Sequence, residues 1–248
     1  MTVFSIITVT KDNLDGLRKT AASVTAQDFT DYEWIVIDGA STDGTAALLP
    51  TLPCRYISDP DHGIYDAMNK GINLAGGDYL IFMNAGDEFA ATDTLRQAAQ
   101  LIHTHAPCFI YGDALEDGRH KTAKPHTTLK SGLFTHHQAM FYGRQCIGAL
   151  RYDTSYKIAA DYKFTSQFLQ GCDAVTYLPA PVCIFATGGV SQRSAAKGRA
   201  EQARIRRQLG TATPGENFII ASRQRIAWSL RTYIPALYWY IRGKGERK

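Results

Sequence analysis

The sequence predicts an α/β fold, an open and mostly parallel sheet with helices on both faces. Three observations predict it. Val3 to Val9, Trp34 to Ile37 and Tyr79 to Met83 are apolar runs of strand length, the pattern of strands buried on both faces. Helical segments separate them, one through Leu17 to Val24 and one starting after Gly63. Two of the runs end in acids beside small residues, Asp38-Gly39-Ala40 and Asn84-Ala85-Gly86-Asp87, at the strand ends where open α/β sheets bind ligands.

The elements follow in order. The first strand begins almost at the start of the sequence, and Thr10-Lys11-Asp12-Asn13 turns it into the first helix. The second strand ends in Asp38-Gly39-Ala40-Ser41-Thr42-Asp43-Gly44-Thr45, where small residues let backbone approach a ligand and Ser41 or Thr42 can cap a helix. A short third strand, Arg55 to Ile57, leads through Ser58 to Gly63 into a helix that carries Asp66 and Lys70 and stops near Gly76-Gly77. The fourth strand delivers Asp87 on a turn of little bulk. A carboxylate so placed suits a hard divalent cation held against phosphate oxygens, so Asp87 is a candidate ligand for Mn2+ or Mg2+. The competing reading makes Asp87 the cap of the next helix.

Composition fits one large core with an appendage: 248 residues, no repeat and no low-complexity tract. Five scattered cysteines, Cys54, Cys108, Cys146, Cys172 and Cys183, lack metal-ligand spacing and are expected to be reduced, as in a cytoplasmic protein. The opening residues lack a basic region followed by a long apolar run, so secretion is not expected. Charge is uneven: from Arg193 to Lys248 thirteen basic residues face three acids, whereas the preceding part holds fourteen basic residues and twenty acids. In that tail Ile219, Ile220, Ile226, Leu230, Ile234, Leu237 and Ile241 recur at helical spacing, with arginines and aromatics between them. Such a helix suits a membrane surface rather than a crossing, since arginines interrupt every window of about 20 residues. Packing on the core or on a second copy in a homo-oligomer is the alternative. No nucleic-acid motif accompanies the charge.

The Ile6-Ile7-Thr8-Val9-Thr10 opening, the Asp38 to Thr45 loop, the Asp61-His62-Gly63-Ile64-Tyr65-Asp66-Ala67-Met68-Asn69-Lys70-Gly71-Ile72 run, the Asn84 to Asp87 turn and Ala159-Ala160-Asp161-Tyr162 occur together in one order. In this the chain resembles the inverting glycosyltransferases of family 2, which have the GT-A fold. Within the family it is most similar to bacterial colanic-acid-type exopolysaccharide transferases, which share a His137-Gln138-Ala139 element. The resemblance spans Met1 to Ser191 and implies a GT-A domain over 1–192 and a basic helical extension over 193–248.

The resemblance also implies roles. Asp161 is the expected catalytic base, and Asp87 the expected metal ligand. Donor contacts are expected from Thr8, Thr10, Asp38, Ser41, Asp43, Asp66, Lys70, Asn84, His137 and Gln138, with His62 and Tyr65 shaping the sugar pocket or packing and the loop at Gly188-Gly189-Val190-Ser191 closing over the donor. The implied activity moves a sugar from a UDP-, GDP- or dTDP-linked donor to a lipid-linked saccharide at the inner face of the cytoplasmic membrane, in exopolysaccharide, capsule or O-antigen synthesis. The chain departs from the family pattern at Ala160, where an acid usually precedes the Asp, at Asn84 and Gly86 in the metal turn, and at Met68, where many relatives carry Arg. Two alternatives stay open: a polyprenyl-phosphate glycosyl synthase, and a non-catalytic nucleotide-sugar-binding partner. A nicotinamide dehydrogenase is excluded, because no glycine-rich fingerprint follows the first strand.

Overall fold

Strands β1 (Phe4–Thr10), β2 (Tyr32–Asp38) and β4 (Tyr79–Phe82) read as apolar runs because each feeds two cores at once. Ile7, Val9, Ile35, Ile37, Leu80 and Phe82 face one layer, while Phe4, Ile6, Trp34, Val36, Tyr79 and Ile81 face the other. Helix α1 (Leu14–Thr25) covers the second layer with Leu17, Ala21 and Val24, joined by Leu95 and Ala98 of α4 (Thr94–His105). Helix α3 (Ile64–Leu74) covers the first with Tyr65, Ala67, Met68 and Ile72, beside Tyr162, Phe164 and Phe168 of α6 (Ala160–Gln170). The computed structural model describes residues 2–189 and 193–245.

Among the described residues the sheet has nine strands. Strand β1 pairs in parallel with β2 and β4, and β2 with β3 (Arg55–Ser58). An antiparallel β8 (Met140–Gly143), followed by the short helix α5 (Arg144–Ile147), then joins β4 to β6 (Phe109–Glu116). Strand β9 (Val175–Phe185) runs parallel to β6, the two-residue β5 (Glu88–Phe89) pairs with β9, and β7 (Arg119–Lys121) with β6. The expected parallel sheet with an antiparallel segment after Asp87 is thus present. Gly77 sits where a Cβ would come within 2.7 Å of the Phe4 and Ser5 backbone, so only glycine lets the chain enter β4 against β1.

Three details correct the sequence reading. Cys108 and Cys172 form a disulfide, their Cα atoms 6.0 Å apart, joining the start of β6 to the turn after α6; Cys54, Cys146 and Cys183 are free. Their separation of 64 residues hid the pair. The loop after β2 is followed by a short helix, α2 (Thr45–Leu48), whose N-cap is Gly44 rather than Ser41 or Thr42; the Asp43 carboxylate before it accepts from Thr45 N at 3.0 Å. Asp87 precedes β5 rather than a helix, which removes its capping role.

The basic extension forms α7 (Ala195–Gln208), α8 (Pro214–Tyr233) and α9 (Pro235–Gly245). Helix α8 opens on a capping box, Thr213 and Glu216 exchanging side-chain to backbone bonds. Pro235 breaks the apparent single period from Ile219 to Ile241 into two helices, because its ring blocks the helix before it. The extension is fastened to the core by Ile205, which is fully buried, and by Lys130–Glu216 and Arg231–Glu116 ion pairs. No described helix is long and apolar enough to cross a membrane.

Candidate active site

A cleft of about 1400 Å3 opens where the end of β4, the first turns of α3 and α6, the chain after β9, and α7 and α8 converge. Asn84, Asp87, His137, Gln138 and Asp161 all line it, so the structure gathers the expected metal, base and histidine-glutamine positions around one space. Tyr65, Gly188 and Gly189 line it too, while Val190 and Ser191 lie outside the described residues.

Asp87 is placed by its turn. Gly86 takes a φ of 105°, which L side chains rarely adopt, and its N–H bonds Gly16 O and Thr20 Oγ1 of α1 at 3.0 Å each. Asn13 at the cap of α1 donates to Ala85 O at 2.9 Å, and Thr20 Oγ1 to Asp87 O at 2.7 Å. The Asp87 carboxylate accepts from Ala186 N at 2.8 Å and Gln138 Nε2 at 2.7 Å. Burial outweighs these bonds and raises its pKa to about 6. Beside it, Asn84 Oδ1 is buried with no hydrogen-bond partner.

Asp161 lies in the first turn of α6, not at its cap; the cap residue is Ala159. It accepts from Tyr162 N at 2.7 Å and Tyr65 OH at 3.4 Å. Burial raises this carboxyl to about 6 as well. The residues before it are held by Glu201 of α7, whose carboxylate accepts from the backbone N–H groups of Lys157, Ile158 and Ala159 at 2.9 to 3.1 Å. Tyr65 OH donates to Ile158 O at 2.7 Å, closing the same segment from α3.

His137 lines the cleft as a buried, neutral ring. Burial lowers its pKa to about 3, Nε2 pairs with Tyr152 OH at 2.8 Å, and Phe82 lies against it. Its neighbour His136 sits with Lys121 and Arg231 around the buried Glu116. Burial alone would raise Glu116, but His136 and Lys121 outweigh it and hold the carboxyl well below its ordinary range.

The other expected donor residues, Thr8, Thr10, Asp38, Ser41, Asp43, Asp66 and Lys70, lie on β1, at the end of β2 and in the loop after it, and on α3, outside the cleft lining. Two of them are engaged within the protein. Thr8 is fully buried with Oγ1 accepting from Trp34 Nε1, and Asp38 is fully buried with its carboxylate taken by Ser41 N and Oγ and by Ser58 Oγ. Ser41 also accepts from Asp12 N, and Asp43 from Leu14 N, tying the loop to α1. Thr10 Oγ1 is buried and unpartnered. Asp66 caps His62 N, and Lys70 donates to Pro60 O at 2.9 Å, so both brace the loop before α3.

The sequence reading missed Glu201, Glu116 and Arg231. Each acts across a long separation, 115 residues for Arg231 and Glu116, and no local motif announces them.

The family model for glycosyl transferase family 2 matches residues 5–160. The chain belongs to this family. An uncharacterized glycosyltransferase of Mycobacterium tuberculosis is 34% identical over 199 residues, 75% of this family 2 chain and 76% of the relative. A PGL/p-HBAD biosynthesis glycosyltransferase of Mycobacterium bovis is 35% identical over 65% of the chain and 68% of its own length. Lower in similarity, a GalNAc(5)-diNAcBac-PP-undecaprenol beta-1,3-glucosyltransferase of Campylobacter jejuni is 29% identical over 46% of the chain and 39% of its own. Among solved structures, S. aureus TarS 1-349 in complex with UDP-GlcNAc superposes with a TM-score of 0.68 at 17% identity, covering 93% of this transferase and 74% of that TarS chain. The Pyrobaculum calidifontis mannosyltransferase in complex with GDP-Man and Mn2+ gives 0.66 at 16%, covering 98% and 79%. The fold is therefore GT-A, as the resemblance implied.

Proposed function

We propose that this glycosyltransferase moves a sugar from a nucleoside diphosphate donor to a hydroxyl of a lipid-linked saccharide at the inner face of the cytoplasmic membrane, by single displacement with inversion. The observation that carries the reading is the pair of buried carboxylates, Asp87 and Asp161, presented to one cleft from different elements. Asp161 takes the acceptor proton while the acceptor oxygen bonds the anomeric carbon and the bond from that carbon to the diphosphate oxygen breaks. A pKa near 6 leaves Asp161 ionised at neutral pH yet more basic than an exposed carboxylate.

The Asp87 turn fits a divalent cation. Its acid is buried without a cationic partner in the hydrogen-bond set, and the unpartnered Asn84 Oδ1 adds an oxygen donor. No cluster of three or more histidine, cysteine or acidic residues stands among the described residues, so Asp87 suits Mg2+ or Mn2+ completed by donor oxygens and water. Such an ion would neutralise charge on the departing diphosphate. Support for donor and acceptor class comes from the GDP-Man and Mn2+ held by the Pyrobaculum enzyme and the undecaprenol-linked substrate named for the Campylobacter one.

Calorimetry with UDP, GDP and dTDP, with and without Mn2+, tests the reading, followed by NMR of the product's anomeric configuration. One nucleotide is expected to bind, more tightly with Mn2+, and an α-linked donor to give a β-linked product. Binding of none of the three, or a retained configuration, overturns it.

The three N–H bonds to Glu201 make a further prediction. Glu201→Ala is expected to cost about 1–3 kcal/mol in a thermal melt and about tenfold in turnover. Nucleotide affinity should stay unchanged, because the Asp161 segment loosens while the Asp87 turn, held by α1, does not.

A further inference from the structure

Helix α8 is inside out. Asn217 and Ile220 are buried, Gln224 donates to Ser131 O and pairs with Gln202, and Arg231 meets Glu116, so a largely polar face turns inward. The outward face is apolar: Phe218 is 75% exposed, Ile219 52%, Ile226 61% and Tyr233 74%. Ile219, Ile226 and Tyr233 are spaced by seven residues, so at about 100° per residue they form one stripe along a helix of roughly 30 Å, with Phe218 at its edge. On the same wheel the exposed Arg223 and Arg225 flank the stripe on either side. Ile234 and Leu237, at the start of α9, are 51% and 40% exposed.

We infer that the outward face of α8 docks on an anionic lipid bilayer. An apolar stripe bordered by arginines is the arrangement of a helix lying in a membrane interface, the side chains of the stripe among acyl chains and the guanidinium groups at the phosphates. The charge of the extension, ten more basic than acidic residues, matches an anionic leaflet rather than a second copy of the same basic surface. The inward face of the same helix supplies Gln224, Ala227, Trp228 and Arg231 to the cleft lining. One helix therefore faces the bilayer on one side and the active-site cleft on the other, so a lipid-linked acceptor reaches the cleft across it. The inference deepens the lipid-linked acceptor reading and rests on it for that last step.

The test is sedimentation of the full chain with phosphatidylcholine vesicles, with and without phosphatidylglycerol, at low and high sodium chloride. The wild type is expected to bind the anionic vesicles at least ~10-fold more tightly than the neutral ones and to lose that preference in high salt. The exposed triple variant Ile219→Ser, Ile226→Ser, Tyr233→Ser should lose at least ~10-fold of binding, and Arg223→Glu with Arg225→Glu should lose the anionic preference. Nucleotide calorimetry on each variant confirms folding and tests the enzyme reading separately, since it needs no lipid. Absence of vesicle binding by the wild type overturns the inference. So does undiminished binding by the triple variant, or a wild-type dimer in analytical ultracentrifugation that the triple variant abolishes without any vesicle binding.

Discussion

Asp161→Asn is expected to lose nearly all transfer and to make the protein more stable. The carboxyl sits at a pKa of about 6 because burial opposes its charge, so the native state carries the ionised form at a cost. An unfolded aspartate titrates near 3.9, and a difference of about two units corresponds to about 2–3 kcal/mol. The sign follows from where the proton binds. Below pH 4 both states are protonated and no cost arises; between pH 4 and 6 the unfolded chain ionises first, and above 6 the cost is complete. Asparagine keeps an oxygen to accept from Tyr162 N and Tyr65 OH but never ionises. The melting-temperature gain over wild type should therefore be near zero at pH 4 and grow to roughly 5 °C by pH 8. Turnover should fall about 10³-fold, with nucleotide binding retained. A variant that turns over normally removes Asp161 as the base, and a gain that does not vary with pH removes the burial argument.

That combination explains what was legible in the sequence. Asp87 was legible as an acid on a turn after an apolar run, and Asp161 through the order of motifs that resembles family 2; taken alone, each also reads as a helix cap. Strands β1, β2 and β4 were legible because both faces of each are filled by apolar side chains. Strands β6, β8 and β9 were not delimited as a sheet, since their order depends on pairings between distant segments such as Phe109 with Tyr142 and Val175. The surroundings of Thr8 and Asp38 were hidden for a different reason: a motif fixes the residue type but not the partners of the side chain, and Trp34 donates to Thr8 while Ser41 and Ser58 donate to Asp38. The orientation of α8 was hidden likewise. Its period is plain, but which face turns out depends on Glu116, Arg206 and Ser131 meeting Arg231, Asn217 and Gln224.

Asp87→Asn is expected to uncouple nucleotide binding from divalent cation. In the wild type, Mn2+ is expected to tighten binding of the cognate nucleoside diphosphate at least ~10-fold, because a cation held at Asp87 would offset the repulsion between its carboxylate and the phosphate charges. The cation must displace a proton from a carboxyl whose pKa burial has raised to about 6. The metal-dependent part of binding should therefore be complete above pH 7 and fall about tenfold per unit below pH 6. Asparagine retains the oxygen that accepts from Ala186 N, so the turn held by Gly86, Asn13 and Thr20 should persist while the charge is lost. Calorimetry on the variant should give one affinity with Mn2+ or with chelator, unchanged between pH 5 and 8, and turnover lower by about 10²–10³-fold. A metal-dependent gain that survives in Asp87→Asn would place the cation on other oxygens and leave the raised carboxyl of Asp87 without a chemical use in the cleft.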